Sequence, residues 1–166
     1  MDLKSKIVAL GLVGSLSIIP VFEGLRLKMY RDPIGIPTDC FGHTGTDVAA
    51  VNTLAQCYQK FYKDILVANA VVDSCVTVPL NPNQRSAFAS FAFNVGSGRK
   101  GGKDGFCILK NGNQPAFLKA LNRSDYSNAC YGLTNWVNAA GKPMQGLINR
   151  RNAEMALCMK GYNGNS

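Results

Sequence analysis

The run "IVALGLVGSLSIIPVF", Ile7 to Phe22, sets the first constraint: sixteen consecutive residues carry no charge, and Glu23 ends them. As one helix the run reaches about 24 Å, short of the ~30 Å hydrocarbon core of a bilayer. Gly11, Gly14, Ser15 and Ser17 dilute its apolarity, and Pro20 interrupts its end. Lys4 and Lys6 precede it, which is the basic-then-apolar order of an export signal. Arg26, Lys28 and Arg31 follow it and blunt any bias in orientation. Three readings stay open: an anchor exported intact, a signal cleaved after Ser15, or the first core helix of a globular chain.

At 166 residues the chain suits one domain or two small lobes. Its 46% apolar and 17% charged residues describe a folded protein. The net charge of +8 suggests an anionic partner. Nucleic acid rests on that charge alone, because the sequence has neither a helix-turn-helix nor an aromatic-basic platform. The six cysteines, Cys40, Cys57, Cys75, Cys107, Cys130 and Cys158, suit three disulfides in an oxidising compartment. A zinc site is disfavoured, since no CxxC pair exists and His43 is the single histidine. Six cysteines allow 15 pairings, and spacing does not choose among them.

Glu23 to Asp32 reads as a short amphipathic helix, with Phe22, Leu25, Met29 and Tyr30 against Arg26, Lys28 and Arg31. "DPIGIPTDCFGHTGTD" then reads as short strands and hairpin turns. Leu54 to about Val72 is a long helix with one buried face, suited to connect two lobes. Asn81 is a predicted N-cap with Pro82 at the first helical position, and Gly96 a predicted stop. The loop from Gly96 to Gly105 matches GxGxxG formally, but a helix precedes it where a nucleotide fingerprint needs a strand. Helical patterns resume over Gln114–Leu121, Asp125–Val137 and Met144–Met159, with Ser124 and Asp125 as helix-start candidates. The tail "GYNGNS" is expected to fray.

Among only ten acids, Glu23 and Asp32 stand nine apart at the ends of the predicted short helix. There they would lie about 14 Å apart along its axis, unless a reversal at "DPIGIPT" brings Asp32 back over Glu23. A carboxyl pair across a cleft is what glycosidic cleavage needs: one donates a proton, and the other activates water or stabilises positive charge. The apolar Ile18, Ile19, Val21 and Phe22 predict a desolvated Glu23 suited to hold that proton.

The stretch "EGLRLKMYRDPIGIPTDCFGHTG" resembles the active-site segment of phage-type lysozymes, glycoside hydrolase family twenty-four. The family's glutamate, aspartate, threonine and Gly-His pair fall on Glu23, Asp32, Thr38, Gly42 and His43 without insertion or deletion. "LNPNQRSAFASFAFNVGSG" and the Trp136-to-Arg151 stretch ending "GLINRR" resemble two further family motifs, so the match runs from Phe22 to Lys160. The resemblance implies an α+β fold: a small N-terminal lobe with a short antiparallel sheet, a long interlobe helix and a helical C-terminal lobe. It implies that Glu23 is the general acid, and that Asp32 and Thr38 position the attacking water with inversion at the anomeric carbon. The bond cut would be the β-1,4 bond between N-acetylmuramic acid and N-acetylglucosamine in peptidoglycan, with no metal or organic cofactor. His43 is expected to support the site as a hydrogen-bonding residue, and Trp136 to line core or cleft. Arg150 and Arg151 would either contact the anionic glycan or solvate a helix face. Proximity in the family fold implies the pairs Cys40–Cys57, Cys75–Cys107 and Cys130–Cys158.

Residues 1–22 further resemble the signal-anchor of an exported subgroup, leaving residues 23–166 as the muramidase domain. The expected course is export, transient tethering to the inner membrane through residues 7–22, and release as a monomer into the periplasm of a Gram-negative host. The host cytoplasm is the alternative if the run is a plain core helix. A non-catalytic glycan-binding or membrane-permeabilising protein on the same scaffold is the alternative to an enzyme.

Overall fold

In the computed structural model, which describes residues 1–161, the apolar run is not one rod. It forms α1 (Leu3–Ala9) and α2 (Val13–Glu23), bent by 116° where Gly11 takes φ +72°. No single helix among the described residues is long and apolar enough to cross a membrane, although this bent pair passes the same test when its halves are taken together. Asp2 caps α1 by accepting from the Ser5 amide at 2.7 Å. Pro20 does not end α2, which continues to Glu23. Ile7, Leu12 and Ile19 are fully buried with Phe41, Phe61 and Ile65 in one of two core clusters.

The residues that weaken the run as a membrane span are those that dock it here. Ser86 donates to the Gly11 carbonyl (3.0 Å), accepts from the Gly14 amide (3.1 Å), and its own carbonyl accepts from the Ser15 hydroxyl (2.9 Å). A Cβ on Gly14 would come within 2.9 Å of both Leu157 Cδ2 and Ser86 Cβ, so a larger residue at this position would hold the helices apart.

The predicted helix from Glu23 to Asp32 is not formed. Gly24 at φ +68° ends α2, and the chain continues as β1 (Arg26–Arg31), antiparallel to β2 (Pro37–Cys40). "LRLKMY" alternates apolar and polar residues with period two, which a strand satisfies better than a helix. An irregularity between Arg26 and Tyr30 shifts the register, and Lys28 bridges to Val51 instead. The helix α3 (Leu54–Cys75) begins with a capping box between Thr53 and Gln56 and runs beneath this sheet into the larger lobe.

The larger lobe is built on α4 (Pro82–Val95), capped by Asn81 and Gln84 with Pro82 in the first turn and Gly96 after its end. Around it lie α5 (Ala116–Leu121), α6 (Tyr126–Gly132) and α7 (Gln145–Met159). The pattern over Asp125–Val137 is shorter as a helix than its sequence suggests. It passes through one 3-10 turn (Leu133–Asn135) into a small hairpin of β3 (Asn138–Ala139) and β4 (Lys142–Pro143). Asp125, not Ser124, caps α6. Phe88, Phe91, Phe106 and Phe117 form the core, with ring centroids 5.1–6.2 Å apart in their contacting pairs. The three disulfides join Cys40–Cys57, Cys75–Cys107 and Cys130–Cys158. The fold is therefore α+β, with seven helices and two small antiparallel sheets among the described residues. The expectation for the tail falls largely on residues 162–166, outside the described residues.

If α1 and α2 are part of the folded core, their two faces must respond differently to truncation. Ile19→Ala is expected to cost about 2–5 kcal/mol. Val21→Ala, at a side chain 76% exposed, is expected to stay within about 0.5 kcal/mol. Urea unfolding of both variants measures the difference.

Candidate active site

Glu23 is the last residue of α2, so the packing of that helix sets where its carboxylate points. Oε1 accepts from Nη1 of Arg150 on α7 at 2.5 Å. Oε2 lies against Gly42, where an added Cβ would come within 2.7 Å of it. The carboxylate is thus held between the large lobe and the hairpin lobe. Its surroundings differ from the apolar wall expected from sequence: Val21 faces solvent, and an arginine fills the place of the desolvating residues. The cleft at this point has a volume of about 390 Å³ and is lined by Phe22, Glu23, Asn94, Ala139, Leu147 and Arg150 among others. A larger hollow of about 660 Å³ between α1, α2, α4 and α7 contains no acid.

Gly42 meets Glu23 because of a tight loop. Asp39 and His43 exchange backbone hydrogen bonds at 3.0 and 2.8 Å, with Cys40 at φ +52° and Gly42 at φ +73° between them. The disulfide from Cys40 to Cys57 pins the loop to α3. Beside it, Asp39 is buried and accepts on Oδ2 from Lys60 (2.6 Å), Asn52 (2.9 Å) and the Ala49 amide (2.8 Å). Burial alone would raise its carboxyl, but these donors outweigh burial and hold it below the usual range.

Asp32 sits in the β1–β2 turn. Its Oδ1 accepts from the amides of Ile34 (3.0 Å) and Ile36 (2.8 Å), so the turn fixes the side chain and Oδ2 has no hydrogen bond among the described residues. Thr38 is buried, cross-strand from Tyr30, and donates to the Ile36 carbonyl at 3.0 Å. No hydrogen bond joins Glu23 to Asp32, but both act on Tyr30. Burial raises that phenol most, the Arg26 guanidinium 4.4 Å from its ring centroid opposes this, and Glu23 and Asp32 add to the rise.

His43 is largely buried between two carboxylates, with Nδ1 2.8 Å from Asp64 and Nε2 2.9 Å from Asp47. Trp136 packs edge-on against Phe91 (5.2 Å) and Phe117 (6.2 Å) and borders a hollow that shares Asn94 and Leu147 with the Glu23 cleft. Arg150 and Arg151 do not solvate a helix face, since both are buried. Sequence reasoning passed over Glu154, which sits with them in the core, and the Asp39–Lys60 pair. For Glu154 the signal was its spacing of three and four residues after two arginines on a largely apolar helix. Among the described residues no cluster of three or more His, Cys, Asp or Glu could hold a metal ion.

The His43 clamp predicts a pH dependence. Burial lowers the imidazole, but Asp64 and Asp47 outweigh it, so its pKa lies above the ordinary value. A raised folded-state pKa means the stabilisation is complete below the unfolded value of about 6.5 and is lost as pH rises through the folded one. Relative to His43→Gln, the wild type should therefore lose its advantage in urea midpoint as pH rises above about 6.5. An advantage that grows over that range would contradict the clamp.

The phage lysozyme family model matches residues 20–154. The SAR-endolysin of Escherichia phage Mu is 36% identical over 136 residues, covering 81% of this chain and 72% of that protein. The active form of the P1 phage endolysin Lyz superposes with a TM-score of 0.78 at 28% identity, over 96% of this chain and 92% of that one. The secreted inactive form of the same endolysin gives 0.59 at 25% identity, over 89% and 94%. By sequence and by fold, the chain belongs to the phage lysozyme family.

Proposed function

We propose that this protein is an endolysin that hydrolyses the β-1,4 bond between N-acetylmuramic acid and N-acetylglucosamine in peptidoglycan. The observation that carries the reading is the Glu23 carboxylate, held at the interlobe cleft by Arg150 from one side and by the Gly42 loop from the other. Glu23 gives a proton to the glycosidic oxygen as the bond to the anomeric carbon breaks. Asp32 and Thr38 hold the attacking water on the opposite face of the sugar, and the anomeric centre inverts. The Ile34 and Ile36 amides engage Asp32 Oδ1, which directs Oδ2 to the water. Thr38 spends its hydroxyl proton on the Ile36 carbonyl, leaving its lone pairs to receive a hydrogen bond from that water. Trp136 supports the cleft from below. The chemistry uses side chains alone, without metal or organic cofactor. Peptidoglycan is an acidic polymer, which suits a chain of net charge +8.

We further propose that residues 7–22 carry the enzyme through export as an uncleaved anchor and then leave the bilayer. In lipid the segment would run straight, and the bend at Gly11 and the bonds to Ser86 would be absent. Glu23 would then be held away from Arg150. Refolding of the segment onto α4 and α7 completes the site in the periplasm, where the enzyme works as a monomer. The closer likeness to the active than to the secreted inactive form of the P1 endolysin supports reading the present fold as the released one.

Glu23→Gln keeps the hydrogen-bonding shape and removes the proton donor. It is expected to lower the rate of clearing of chloroform-treated Gram-negative cells by about 10²–10⁴-fold, and equal clearing would refute the assignment. For the anchor, N-terminal sequencing of the periplasmic protein should find the residues before Ser15 retained. A mature start at Leu16 would mean a cleaved signal.

A further inference from the structure

The chain contains only two glutamates, Glu23 and Glu154, and both grip the same arginine. Arg150 donates from Nη1 to Glu23 at 2.5 Å, from Nε to Glu154 at 3.1 Å and from Nη2 to the Ser90 carbonyl at 3.3 Å. We propose that Glu154 is the positioning residue of this site: it divides the charge of Arg150 between two carboxylates and so leaves Glu23 able to take up the proton the reaction needs. This rests on the reading of Glu23 as general acid.

The electrostatic balance of the cluster carries the argument. Glu154 is fully buried, receives the Ser90 hydroxyl on Oε1 at 2.7 Å and pairs through Oε2 with Nη1 of Arg151 at 2.9 Å. From α2 comes Glu23; from α7 come Arg150, Arg151 and Glu154; from α4 come only the neutral Ser90 and Asn94, the latter accepting from Arg151. The charges acting on Arg151 are Glu154, Arg150 and Glu23. Two cations thus face two anions. When Glu23 is protonated the cluster holds a net charge of +1, but without Glu154 it would hold two uncompensated cations in a site largely shielded from water. Arg150 would then have Glu23 as its one carboxylate partner, and proton transfer from Glu23 would slow.

Burial raises the Glu154 carboxyl above its ordinary value, and Arg151, Arg150 and Ser90 offset this only in part. Two guanidiniums face it, Nε of Arg150 at 3.1 Å and Nη1 of Arg151 at 2.9 Å, and both favour the carboxylate. The cluster is poorly built as a stabilising device. Nε and Nη1 of Arg151 and Oε2 of Glu154 are buried without a well-directed hydrogen bond, and buried ion pairs of this kind contribute little net stability. What Glu154 supplies is a countercharge next to Arg150.

Glu154→Gln keeps the shape and removes the charge. Its kcat on peptidoglycan at pH 7 should fall about tenfold with KM little changed, and the alkaline limb of its pH–rate profile should move down by about one pH unit. Glu154→Asp, which restores the charge, should recover part of the shift, as a purely structural role would not require. Labelling the intact wild type with ¹³Cδ-glutamate gives two carboxyl signals, readable without any variant. The Glu154 signal should stay that of a carboxylate across the pH range in which the enzyme is active. A folded Glu154→Gln protein with an unshifted profile, or a Glu154 found protonated in that range, would overturn the proposal. If neither variant folds, the wild-type titration decides alone. Full activity in Glu23→Gln would instead overturn the general-acid reading, so the two failures are distinguishable.

Discussion

The contact between Arg150 and Glu23 is the one on which the rest of the site depends. It joins the end of α2 to α7 across the cleft, and it is geometrically demanding because a carboxylate on a helix terminus moves with the whole helix. A slip of α2 by one turn, about 5.4 Å, would remove Glu23 from both Arg150 and Gly42. What prevents that slip lies far from the chemistry: Ile19 in the core, Gly14 packed against Leu157 and Ser86, and the Ser15 bond to the Ser86 carbonyl. The N-terminal helices are therefore the scaffold of the acid and not an appendage to it.

Those helices satisfy two sets of physical demands with one composition. An apolar, uncharged run is compatible with lipid, yet here Ile7, Leu12 and Ile19 bury in the protein's own core. Glycine and serine, which weaken a membrane span, are the residues that bend the run at Gly11 and bond it to α4. Leucine substitutions there would make the run more apolar and destroy the docking surface together. The compromise is local and chemical, since a small residue at Gly14 is required by the closeness of Leu157.

Much of this was legible in the sequence where one residue type has one job. Asn81, Pro82 and Gln84 mark the start of α4, Gly96 marks its end, and the long amphipathic pattern after Thr53 marks α3. The β1 strand was misread because Arg26, Lys28 and Arg31 with Met29 and Tyr30 also fit a helical face over so few residues. Gly24, whose left-handed conformation ends the helix, decides between the two. The 23–43 stretch was readable as a site through its resemblance to a family, but the partner of Glu23 was not. Arg150 lies 127 residues away, and nothing local distinguishes a buried arginine bound to a glutamate from one that solvates a helix. Glu154 was hidden for the same reason: its role is defined by a burial that only the packing of α4 on α7 creates.

The two sides of Glu23 are held by different kinds of force, and this shapes how the site responds to its surroundings. On the hairpin side, Cys40 adopts a left-handed backbone that costs about 1–2 kcal/mol for a residue with a Cβ, and Gly42 must stay bare to admit the carboxylate. That loop is held by a covalent bond to α3, the buried Lys60–Asp39 pair and the His43 clamp. On the α7 side the hold is ionic and largely buried, so salt screens it weakly. The hairpin thus holds the Glu23 carboxylate by shape, and α7 holds it by charge.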